Sequence, residues 1–105
     1  MRYIVVPVDG ESEMLDGDLR LEDYQRLVGG WIEHVYLPGG VIAVVNEEGV
    51  PRGLHVNSRA MTVASALLGR AQPLCGPVVF VGNSDDGEEA DIPDDFVETW
   101  LHILQ

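Results

Sequence analysis

The stretch Leu27 to Gly53, LVGGWIEHVYLPGGVIAVVNEEGVPRG, limits the possible folds of this chain more than any other. Val28 closes a short helical pattern and Gly29-Gly30 stops it, because glycine takes left-handed angles without a Cβ penalty. Trp31 to Leu37 then reads as a strand. Trp31, Glu33, Val35 and Leu37 share one face, and Ile32, His34 and Tyr36 share the other. Each face mixes apolar and polar groups, as expected of a strand partly covered on both sides. Pro38-Gly39-Gly40 is a tight turn: proline presets the first central angle and glycine supplies a positive φ. Val41 to Val45 is an unbroken apolar, mostly β-branched run, the pattern of a strand buried on both faces. Asn46-Glu47-Glu48-Gly49 is a turn composition, and Pro51 blocks regular pairing soon after it. A central β-hairpin over about 31–46 follows, so the sheet is at least partly antiparallel.

The rest of the chain supplies what packs on that hairpin. Tyr3 to Val8 is a strand interior to the sheet, with Pro7 at its end or at a bulge. Asp9 to Asp18 holds five acids and two glycines and reads as a solvated loop. Leu21, Tyr24, Leu27 and Val28 recur at helical spacing. Asn57 or Ser58 is a good N-cap for a helix carrying Ala60, Met61, Ala64, Leu67 and Leu68, which Gly69 ends. Val78 to Val81 is another doubly apolar strand. Asn83 to Asp91 reads as a loop. Pro93 suits the first helical position, and Phe96, Val97, Trp100, Leu101 and Leu104 form the stripe of a C-terminal amphipathic helix. The expected class is α+β, in the order β-α-β-β-α-β-α, with residues 1–105 forming one domain.

Charge narrows the partners. The chain has 18 Asp and Glu against 6 basic residues, a net charge of −12, and every basic residue is Arg. Residues 71–105 hold eight carboxylates and neither Lys nor Arg. Direct binding to nucleic acid is disfavoured, since Lys and Arg drive phosphate contact. Anionic membranes are disfavoured on the same ground, and no apolar run approaches a membrane span. Basic proteins, cations and neutral surfaces remain. One cysteine, Cys75, excludes an internal disulfide framework, and no signal pattern opens the chain, so a cytoplasmic setting is expected.

The run LVGG-x-IE, the apolar strand after it, the NEEG turn, and N-x-x-A at Asn57 and Ala60 together resemble a small domain family of unknown function found in phages, mobile elements and actinobacteria. The resemblance covers about Leu27 to Gly82; residues 1–26 and the acidic tail are expected to depart most from it. It implies a setting, a phage or mobile-element accessory gene acting in the host cytoplasm, and carries no catalytic signature.

Two sets of residues are candidate sites. Asp85, Asp86, Glu88, Glu89, Asp91, Asp94, Asp95 and Glu98 form an acidic run that either solubilises the chain or docks on a basic or DNA-binding host protein, in the extreme as a mimic of duplex phosphates. Asn46, Glu47 and Glu48 either form a plain exposed turn or hold a metal ion or ligand, with acid–base chemistry from the paired carboxylates. His34, His55 and His102 match no zinc spacing, and Cys75 paired with His34 or His55 would need tertiary contact. No cofactor is expected, and no catalytic residue is assigned. A sheet edge or the last helix is open to homodimer formation.

Overall fold

The computed structural model describes residues 1–105. Its elements are β1 (Arg2–Val6), β2 (Glu13–Asp16), α1 (Leu21–Val28), β3 (Ile32–Leu37), β4 (Val41–Asn46), α2 (Ser58–Leu68), β5 (Val78–Asn83), β6 (Glu89–Ala90) and α3 (Asp94–Leu104). The fold is α+β, with one antiparallel sheet in the order β2-β1-β5-β4-β3. The short β6 pairs with Gly82 and Asn83 of β5. Gly82 also pairs with Val41 of β4, so β6 takes the other side of β5, in line with β1.

The hairpin β3–β4 forms as the residue pattern requires, with Ile32 opposite Asn46 and Leu37 opposite Val41. All six residues of β4 are buried. Two strands correct the expected order. Glu13–Asp16, expected as loop, is an edge strand exposed at all four positions. Such a strand buries neither face, so no apolar alternation marks it; its register comes from β1, with Ile4 opposite Met14. Within the expected loop 83–91, Glu89–Ala90 forms β6. Gly82 makes that pairing possible, because a Cβ there would run into the Asp91 carbonyl oxygen. β1 stops at Val6, just before Pro7, and lies inside the sheet between β2 and β5. Pro93, expected at the first helical position, stands one place before it with no side-chain cap bond, and Asp94 begins α3.

The two faces of the sheet are covered unequally. α2 and α3 pack on Ile4, Val6, Ala43, Val45 and Phe80, and Phe80 meets Phe96 with ring centroids 5.2 Å apart. Asn57 ties that layer together. Its Oδ1 accepts from Ala60 N at 3.2 Å, capping α2, while its Nδ2 donates to Val6 O at 2.9 Å and Gly76 O at 3.1 Å. The opposite face carries α1 alone, with Tyr24 and Val28 over Ile42, Val44, Val79 and Val81. Eight helical residues span about 12 Å, whereas five strands cover roughly 19 Å. One short helix therefore leaves part of that face open, beside β3.

Candidate functional site

The open part of the α1 face is a groove of about 420 Å³. Ile32 and Ile42 line it along the hairpin, with Leu21 and Tyr24 from α1, and His34, Tyr36, Glu88 and Glu89 contribute polar groups. The alternation of β3 sends Ile32, His34 and Tyr36 to this side. Glu89 arrives from β6, opposite Asn83. Its two carboxylate oxygens are held separately: Tyr24 Oη donates to Oε1 at 2.9 Å, and His34 Nε2 lies 3.1 Å from Oε2. Burial, and then the bond to Glu89, pushes the Tyr24 hydroxyl far above the usual tyrosine range, so it stays protonated and remains a donor. The His34 ring stacks on Tyr36 at a centroid distance of 6.1 Å. Tyr36 itself is 59% exposed. The groove thus joins an apolar floor, two aromatic rings and a carboxylate fixed by two neighbours.

The acidic run is not a uniform surface. Glu89 is drawn into the groove. Asp91 accepts from Arg2 N at 2.8 Å, and the Arg2 guanidinium bonds to Asp94. The Met1 ammonium donates to Asp16 at 3.0 Å and lies 3.9 Å from Asp91. Carboxylates from the β1–β2 hairpin and from the tail therefore converge on one pair of basic groups. The bond that Met1 donates to Asp16 holds its amine above the usual range, and the bond to Asp94 does the same for the Arg2 guanidinium. Asp85, Asp86, Glu88, Asp95 and Glu98 are exposed, with no basic group within 4 Å. The Ser84 hydroxyl donates to Asp86 and holds that carboxyl below the usual range. Across the chain, five of the 18 carboxylates have a basic group within 4 Å, which leaves thirteen without one.

The Asn46 turn divides in two. Asn46 is 4% exposed. Its Nδ2 donates to Val28 O at 3.1 Å, and its Oδ1 accepts from Glu48 N at 2.8 Å. The side chain thus fastens the end of β4 to the end of α1 and closes its own turn. Gly30 accommodates this, since a Cβ there would sit 3.0 Å from Asn46 Nδ2. Glu47 and Glu48 are exposed. Glu47 and Glu33 border a second pocket of about 220 Å³, on the α2 side of the sheet above Val35, Val45 and Cys75. No group of three or more His, Cys, Asp or Glu side chains is placed to hold a metal ion. His34 bonds to Glu89 on the α1 face, away from the Cys75 pocket. The Tyr24–Glu89–His34 arrangement was not foreseen from the sequence; its only hints were a polar tip within the apolar stripe of α1 and a histidine in β3.

Fold and site together define a small antiparallel α+β domain with an acidic surface and one half-covered sheet face. The chain belongs to the family described as domain of unknown function DUF3846, whose profile matches residues 1–105. That match takes in the first 26 residues and the acidic tail, the parts expected to depart most. No curated protein and no solved structure matches the chain.

Proposed function

We propose that this protein is a non-enzymatic accessory protein, of phage or mobile-element origin, that binds a basic protein of its host through its carboxylate surface. The observation that carries this reading is the set of thirteen carboxylates without a basic neighbour within 4 Å. Self-repulsion on this scale costs stability, and a partner rich in Lys and Arg relieves it while gaining steered association. Asp16, Asp91 and Asp94 meet around Met1 and Arg2, so the hairpin and tail acids are neighbours at that corner, which favours a shared docking margin over separate solubilising ends.

Charge density favours a basic protein in general over strict duplex mimicry. The longest dimension is 32 Å. Duplex DNA of that length carries roughly 19 charges along one rod, at about one per 1.7 Å. This protein has a net charge of −12 distributed over all its sides. Capture from host lysate over a salt series tests the reading: a partner released by salt is expected, and the absence of any salt-sensitive partner overturns it. Competition with duplex DNA for the captured protein decides whether mimicry is involved.

A further inference from the structure

β3 ends the sheet, and its outer edge carries no strand. The bond from Glu47 N to Trp31 O at 2.8 Å sets the phase of the β3–β4 ladder. Antiparallel bonding alternates along a strand, so Trp31, Glu33, Val35 and Leu37 turn their backbone groups toward β4. Ile32, His34 and Tyr36 therefore point their N–H and C=O groups outward. No turn, loop or side-chain hydrogen bond reaches those groups. The opposite edge, β2, is only four residues long, which is a common protection against unwanted pairing. β3 has six residues, with Trp31 64% exposed just before it and Tyr36 59% exposed within it.

A strand added to β3 would send alternate side chains to the two sheet faces. Each of those faces holds a pocket beside β3 lined with carboxylates and no arginine beside the strand: Glu88 and Glu89 in one, Glu33 and Glu47 in the other. Tyr36 adds an exposed ring face for a guanidinium. We infer that the free edge of β3 receives an extended, arginine- or lysine-rich segment of a partner protein by strand addition. The segment's backbone pairs with Ile32, His34 and Tyr36, and its basic side chains reach the carboxylates on either face. A second copy of this chain is the poorer occupant, since each copy brings a net charge of −12 to the contact.

This inference rests on the acidic-surface reading, and the test separates the two. The probe is a ten-residue peptide alternating Arg and Thr, in two versions, one unmodified and one N-methylated at every residue with its charge unchanged. Strand addition needs the peptide amides that face β3, whichever sheet face receives the arginines. The methylated version is therefore expected to bind about tenfold or more weaker. Amide NMR signals of Ile32, His34 and Tyr36 should shift and gain exchange protection. Equal binding of both versions, with shifts gathered over Asp85–Glu98, overturns the edge and leaves the acidic surface standing. No binding of the parent peptide at low salt also overturns the edge, with the lysate capture deciding the broader reading by itself. A dimer seen by sedimentation that the peptide cannot dissociate assigns the edge to a second copy and contradicts the inference.

Discussion

Replacing Asn57 with alanine tests how the α2 layer is held to the sheet. Asn57 is fully buried and uses both ends of its amide. Removing Oδ1 deletes the α2 cap, a loss of about 1 kcal/mol. Removing Nδ2 leaves Val6 O and Gly76 O without that donor, at about 1–3 kcal/mol for each carbonyl not otherwise satisfied. With both carbonyls losing their partner the expected total is about 3–7 kcal/mol, a large share of the roughly 5–15 kcal/mol by which folded proteins are stable. At a urea m-value of about 1.5 kcal/mol/M, the midpoint falls by about 2–5 M. Two further variants separate the contributions. Asn57→Ser keeps a capping oxygen and should recover about 1 kcal/mol relative to alanine. Asn57→Asp is as good a cap, but it replaces the donor with a buried charge facing two carbonyl oxygens, so it should be no more stable than alanine. An aspartate variant as stable as the wild type in urea denaturation would refute the assignment of Nδ2 to Val6 and Gly76.

Four other outcomes follow from the same geometry. Gly82→Ala forces β6 away from β5 and should cost at least about 2 kcal/mol, read by thermal unfolding. Tyr24→Phe removes the buried donor to Glu89 and should cost about 1.5–3 kcal/mol in urea, as expected for a hydrogen bond to a charged group. The Asp23 carboxyl is held below 3.8, first by the Arg20 backbone N–H and then by Arg26. Its contribution to stability is therefore present above about pH 4 and is lost as pH falls through the lower folded value, and Asp23→Asn should flatten that acid limb in a pH series of melts. The Met1 amine is held above 8.0, so its contribution is full below that pH and is lost as pH rises through the folded value; acetylating the amine should abolish this alkaline loss.

The hairpin and the helices were legible because their signals are local. The glycine pairs on either side bounded β3, the continuous β-branched run marked β4, and Gly29, Asn57 and Gly69 marked helix ends by their own side chains or angles. β2 and β6 escaped because neither carries a buried stripe; β1 and Gly82 create them from outside. The groove escaped for a stronger reason. Glu89 meets Tyr24 across 65 positions and His34 across 55, so the contact exists only after β6 has found β5 and α1 has settled on the sheet. Asn46 was legible as a turn residue closing on its own backbone, but not as the link to Val28, which lies 18 positions away.

The role proposed for the unpaired carboxylates is to bind a basic macromolecule. The most direct measurement compares the wild type with a variant carrying Asp85→Asn, Glu88→Gln, Asp95→Asn and Glu98→Gln. All four residues are exposed and free of basic neighbours, so the fold should tolerate the changes. Affinity for the captured host protein is measured between about 50 and 400 mM salt, where surface charge pairs are progressively screened. The variant should bind more weakly at low salt, with a shallower dependence of affinity on salt. Equal affinity and equal slope for the two proteins would contradict the account.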